Sequence, residues 1–251
     1  MLWLTVRKGL FCALRPQLWP LLLRRIAPAI EHVRPLSRFT FRTVVDVGAN
    51  RGQFAAVARR LFPAARIYSF EPLAGPAAEF KKALGRDSGI RLFNNAVGSV
   101  SGSLPIYVTN KDDSSSLLKP GAMQSDIFGI KTEQVSQISV RRLSECLAKE
   151  DIAASALLKI DVQGSELDVL RGADDLIDCF EAIYVECSFM QLYENQSLFG
   201  DVVKWTAPHG FHLAGVYNQY DDPVHGPVQA DFLFLRTSPP VGGSKHQETQ
   251  Q

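Results

Sequence analysis

The segment Thr43-Val-Val-Asp-Val-Gly-Ala-Asn-Arg-Gly52 constrains the fold more than any other. A β-branched apolar run leads straight into a glycine-bearing turn, and Gln53-Phe-Ala-Ala-Val-Ala-Arg-Arg-Leu-Phe62 then begins a helix that Pro63 stops. Strand, tight loop and helix N-terminus together form a nucleotide-cofactor cradle of an α/β protein. The glycines stand at 48 and 52 with Asn50 between them. The Gly-x-Gly-x-x-Gly spacing that lets backbone press against a pyrophosphate is absent. An acid-x-Gly-x-x-x-Gly loop instead suits a cofactor with no phosphate and a cationic amino-acid end, and S-adenosylmethionine is such a molecule.

Beyond this unit the pattern alternates strand and helix. Strands are expected at 66–70, 91–97, 103–109, 137–140, 157–162, 182–187, 211–216 and 229–235, and helices at 77–84, 143–149, 165–171 and 198–207. Residues 110–134, rich in Asp, Ser, Gly and Lys, read as a long functional loop. Alternation of this kind implies a mostly parallel sheet with helices on both faces. The last two strands have no helical pattern between them and should pair antiparallel, as a hairpin with a long loop over 217–228.

A chain of 251 residues fits one such domain with short additions. Its net charge of +1 hides an asymmetry: residues 1–42 hold eight Lys or Arg against Glu31 alone, a net +7, so the rest carries −6. The acidic body argues against a nucleic-acid partner. We therefore divide the chain into a basic helical segment (1–42), a catalytic domain (43–236) and a disordered Pro/Gly/Ser/Gln tail (237–251). The apolar run 18–23 is far too short to span a membrane, and no leading basic region marks a secretion signal. A cytoplasmic protein is expected, with peripheral contact to anionic membrane through residues 1–40. Four scattered cysteines read as free thiols and supply no zinc-type cluster, and no metal is expected.

Ligands of an open parallel sheet bind beyond the carboxyl ends of its strands. Asp46, Gly48, Asn50 and Gly52 follow the first strand, and Glu71-Pro72 the second. A carboxylate at Glu71 can accept both hydroxyls of a ribose. Asn95, Ala96 and Val97 stand where an adenine edge would lie. Asp161 and Glu186 close two further strands.

Seven motifs fall in one order: Asp46-Val-Gly-Ala-Asn-Arg-Gly52, Phe70-Glu-Pro72, Asn95-Ala-Val-Gly98, Ser114-Ser-Ser-Leu117, Lys159-Ile-Asp-Val-Gln-Gly164 with Glu166, Leu170-Arg-Gly-Ala173, and Val185-Glu186 with Leu192-Tyr193. Over roughly residues 43–236 the chain resembles the FkbM-type methyltransferases. That resemblance implies a class I (Rossmann-like) methyltransferase fold, a seven-stranded mostly parallel sheet with an antiparallel last strand. It also implies S-adenosylmethionine and methylation of a hydroxyl oxygen on a carbohydrate, glycolipid or related secondary metabolite. Under it, Asp161 is the first candidate base, Lys159 a buried cation that orients Asp161 or stabilises a developing alkoxide, and Glu186 a second base or hydroxyl acceptor. Gln163 departs from the family, which often shows Glu there. The alternatives are an NAD-linked oxidoreductase and a binding module that keeps the fold without the chemistry.

Overall fold

All five residues of β1 (Thr43–Val47) are buried, as befits a β-branched run covered on both faces. The computed structural model describes residues 28–237. The remaining strands are β2 (Arg66–Phe70), β3 (Ile90–Phe93), β4 (Ala96–Val97), β5 (Gly102–Thr109), β6 (Thr132–Arg141), β7 (Ala156–Ile160), β8 (Ala182–Ser188), β9 (Phe211–Asp222) and β10 (Gly226–Arg236). Seven of them form one sheet in the order β3-β2-β1-β7-β8-β10-β9. It is parallel from β3 to β8, and β10 runs antiparallel to both of its neighbours. This is the expected mostly parallel sheet with an antiparallel last strand.

The helices are α1 (Val33–Leu36), α2 (Gln53–Leu61), α3 (Ala74–Leu84), α4 (Ala122–Phe128), α5 (Glu166–Gly172) and α6 (Phe199–Thr206). They cover both faces. One core gathers Val45, Phe70, Leu158, Leu170 and Phe232. The other gathers Val44, Phe54, Phe80, Leu157 and Leu233, together with Leu36 and Phe41 from the stretch before β1. The outer part of the basic segment and the tail from 238 onward lie outside the described residues. So do most of the residues expected to meet a membrane. Among the described residues no helix is long and apolar enough to cross one.

Four details depart from the sequence-based expectation. The strand expected over 91–97 breaks after Phe93, and Ala96–Val97 joins β6 and β5 in a separate three-stranded sheet. The cause is Asn94, whose side-chain amide donates to the carbonyls of Glu71 (2.8 Å) and Pro72 (3.1 Å) and so turns the chain out of the ladder. Residues 110–134 are not one long loop: they contain α4 and the start of β6, and Met123, Ile127 and Phe128 pack against Leu192, Tyr193 and Val228. The final hairpin has no long loop either. β9 and β10 run on to a tight turn in which Asp222 accepts from the backbone of Val224 and His225, both at 2.9 Å. The helix expected over 143–149 is instead two 3-10 turns, Leu143–Glu145 and Lys149–Asp151.

Register aligns Ser69, Asp46, Lys159 and Tyr184 across four adjacent strands. Paired residues share a sheet face, so a polar row crosses the face that α2 covers.

Candidate active site

The loop from Gly48 to Gly52 crosses the carboxyl ends of β1 and β2. Gly48 has φ +83°, and a Cβ there would stand 1.8 Å from the Asp161 carbonyl oxygen; only glycine fits. Asn50, at φ 44°, also takes the left-handed region, where Asn is tolerated. Its backbone N–H consequently points at the end of β2 and donates to Glu71 Oε2 at 2.9 Å, while Leu73 N–H donates to Oε1 at 2.7 Å. Burial pushes the Glu71 carboxyl up to about 7, although both backbone donors pull the other way.

A cavity of about 450 Å³ opens along this edge, within the range of small-molecule sites. Gly48, Asn50, Glu71, Pro72, Ala96 and Val97, all expected cofactor contacts, line it. Gly52, Asp46 and Asn95 do not. Gly52 starts α2 at φ +93°, packed against Phe80 and Leu84. Asp46 is fully buried behind the loop. Asn95 turns its amide away, to the Ala96 carbonyl at 2.8 Å. Ile106 and Ile138 from the small sheet, with Leu117, close the apolar end.

Lys159 and Asp161 also line the cavity. The Lys159 ammonium lies 3.2 Å from Asp46 Oδ1 and 3.6 Å from Asp161 Oδ2, 3.3 Å from the Gly48 carbonyl, and 5.3 Å above the Phe54 ring. Burial pulls its pKa down, but the charges of Asp46 and Asp161 outweigh this and hold it above the ordinary lysine value. Asp46, Asp161 and the Gly48 carbonyl together fix the Lys159 ammonium in place. Burial raises the pKa of Asp46, and Lys159 opposes that rise.

Glu186 does not line the cavity. Burial, followed by the charge of Asp161, holds its carboxyl well above the ordinary range. The link between Glu186 and Asp161 is Gln163, whose Nε2 donates to Asp161 Oδ1 (2.9 Å) and Glu186 Oε2 (3.0 Å). A glutamate at 163 would place a third carboxylate against these two; the amide instead bonds both. The Tyr193 hydroxyl lies 3.1 Å from Gln163 Oε1 and 3.0 Å from the Ser114 carbonyl, and accepts from Gln124. Ser116 Oγ donates to the Gln163 carbonyl at 2.6 Å. Residues 112–117, five of which line the cavity, are thereby tied to the carboxylates below them. Arg51 in the cofactor loop pairs with Asp112 on the same roof. Glu166 caps its own loop, accepting from Gly164 N–H at 2.8 Å.

Sequence reasoning missed one group. His32 Nδ1 lies 3.1 Å from the Tyr184 hydroxyl and 3.3 Å from Asp231 Oδ2, and His32 lines the cavity. Asp231 also accepts from the Tyr184 hydroxyl (2.9 Å) and from Asn218 (2.7 Å). These residues are far apart in the chain and share no motif. Among the described residues, no three His, Cys, Asp or Glu side chains are grouped to hold a metal ion, and Cys146, Cys179 and Cys187 are free thiols.

The methyltransferase FkbM domain model matches residues 46–213. The chain is 28% identical over 180 residues to the 2-O-methyltransferase NoeI of Sinorhizobium fredii, covering 69% of this chain and 71% of that protein. It is also 28% identical over 190 residues to the 31-O-demethyl-FK506 methyltransferase FkbM of Streptomyces tacrolimicus, covering 67% and 72%. Methyltransferase 1 of Beauveria bassiana is 30% identical over 146 residues, covering 53% and 58%.

Proposed function

The chain belongs to the FkbM methyltransferase family, and on that premise we propose that it transfers a methyl group from S-adenosylmethionine to a hydroxyl oxygen of a carbohydrate, glycolipid or related secondary metabolite. The observation that carries the cofactor assignment is Glu71, a carboxylate pinned by two backbone N–H groups at the end of β2 with lone pairs left to accept a ribose diol. The residues fit the donor. Ala96, Val97, Ile106 and Ile138 offer an apolar slot, Glu71 a ribose acceptor, and Gly48 the close backbone approach. Bound there, the donor supplies an electrophilic sulfonium methyl. An NAD-linked oxidoreductase gives way to the family membership, and the loop lacks the pyrophosphate spacing.

In this reading the chain aligns two reactants and handles one proton. Asp161, at the cavity wall, accepts the proton of the acceptor hydroxyl. Lys159 fixes the Asp161 carboxylate from behind and keeps positive charge near the developing alkoxide. Gln163 and Glu186 set the orientation of Asp161 from its other side. The curated relatives named above include two O-methyltransferases, which supports oxygen as the acceptor atom.

Titration calorimetry with S-adenosylhomocysteine and with NAD tests the cofactor. Binding of the first and not the second is expected, and the reverse would overturn the reading. Isotope-labelled methyl transfer to a panel of sugars and glycolipids tests the acceptor. The product should be an ether that survives mild base, whereas a base-labile ester or an N-methyl product would contradict it.

Glu71 adds a pH dependence. A ribose diol donates to the ionised carboxylate, so binding must first remove the proton that Glu71 holds up to about 7. Relative to Glu71→Gln, affinity for S-adenosylhomocysteine should fall by up to about tenfold per unit below about 7. Glu71→Gln should bind weakly with no such step. A wild-type profile flat down to about pH 5.5 would show that Glu71 is not the titrating contact.

A further inference from the structure

His32 and Asp231 both lie outside the 46–213 family match, yet His32 lines one end of the cavity with Asp231 beside its Nδ1. The proposed cofactor ends in an ammonium and a carboxylate. Acidic side chains near this end are plentiful, Glu31 and Asp161 among them, and suit the ammonium. Cations are scarce: among the described residues that line the cavity they are Lys159 and His32. Lys159 is engaged by Asp46, Asp161 and the Gly48 carbonyl. Arg51, in the Gly48–Gly52 loop, is paired with Asp112. That leaves His32.

Its ring is held on several sides. Phe54 meets it edge to face at 5.4 Å and Tyr184 at 5.5 Å. Asp231 is an acceptor only, so the hydrogen of Nδ1 points to it. Burial alone would raise the Asp231 carboxyl, but contacts from His32, Asn218 and Tyr184 bring it below its ordinary range, so the ring has an ionised carboxylate behind it. Nε2 has no hydrogen-bond partner among the described residues. The geometry also spans the right direction. Glu71 stands at the end of β2, and Tyr184 lies three strands away across β1 and β7, on the order of 14 Å at about 4.8 Å per strand. The cavity covers that width, from Ala96 and Val97 to Ala29 and His32.

We propose that His32, oriented by Asp231 and Tyr184, binds the carboxylate of the amino-acid end of the cofactor. This rests on the S-adenosylmethionine reading above. The ring donates from Nδ1 to Asp231 and from Nε2 to the ligand carboxylate, so that it bridges the two acids. His32 thus extends the cofactor site beyond the family-matched region, with a residue contributed by the stretch before β1.

The test compares two ligands on the full chain by calorimetry: S-adenosylhomocysteine and 5′-methylthioadenosine, a related adenosine thioether without the amino-acid end. His32→Ala should weaken S-adenosylhomocysteine about 10- to 100-fold, the range for one hydrogen bond to a charged group, and leave 5′-methylthioadenosine within about twofold. Asp231→Asn should weaken S-adenosylhomocysteine in the same direction by less. Preserved 5′-methylthioadenosine binding reports an intact fold in each variant. Equal loss of both ligands would assign His32 a structural role and overturn the proposal, as would unchanged S-adenosylhomocysteine affinity. Failure of the wild type to bind either ligand would remove the cofactor reading itself, a different result from a loss confined to the variants.

Discussion

Asp161→Asn should lower kcat by about 10²- to 10⁴-fold, the usual contribution of a positioned proton acceptor, with S-adenosylhomocysteine affinity within about threefold of wild type. The replacement is nearly isosteric. Its carbonyl can still accept from Gln163 Nε2, as Asp161 Oδ1 does at 2.9 Å, so that hydrogen bond survives, while the capacity to take a proton and the ion pair with Lys159 at 3.6 Å are lost. Single-turnover methyl transfer, measured beside calorimetric binding, separates the possibilities. Unchanged turnover would remove Asp161 from the mechanism. A collapse in cofactor affinity would make it a binding residue. A rate loss with intact binding also disposes of the alternative in which the chain is a silent binding module, because the wild type must then turn over.

Lys159→Met should destabilise the protein by about 3–5 kcal/mol, the cost of stranding a buried charge by removing its partner. Asp46 has no solvent exposure. Without the ammonium at 3.2 Å, its remaining side-chain contact is the Ser69 hydroxyl at 3.5 Å. For a chain of this length each kcal/mol moves Tm by about 2–4 °C, so a drop of roughly 10 °C is expected in a thermal melt. The double variant Lys159→Met/Asp46→Asn should recover part of the loss, because the two residues are coupled. Full additivity of the two single effects would refute the pairing. The sign with pH follows from the raised Lys159 pKa. On the alkaline side the contribution of the pair is lost only as pH climbs through the folded Lys159 value, above the free lysine value of 10.5; on the acid side it is lost as Asp46, whose pKa burial raises, takes up a proton.

The floor of the site could be read from the sequence because each of its parts is local. Asp46 through Asn50, Glu71 and Asp161 stand at strand ends, and the order of strands follows from alternation alone. What escaped was governed by contacts distant in the chain. Asn94 looks like part of a strand, yet its amide satisfies two carbonyls at the end of β2 and sends the next residues into a second sheet. The helix α4 is only seven residues long and sits between Gly121 and Gly129, and its apolar side chains are covered by Leu192, Tyr193 and Val228. His32 carries no motif, and its partner Tyr184 is 152 residues away. Side chains that matter only through such pairings leave no periodic trace. Gln163 was noted as a departure from the family, but its bonds to Asp161 and Glu186 give the departure a physical role.

The hydrogen bonds around Tyr193 join the roof to the Asp161 and Glu186 carboxylates through Gln163. Tyr193 leans on Ser114 in the roof and on Gln163 in the floor, and Gln163 keeps two acids from facing each other unshielded. Displacing residues 112–117 would break the Ser116 bond to the Gln163 carbonyl and the Ser114 bond to Tyr193, so the placement of the roof and the orientation of the Gln163 amide between the two acids are set together.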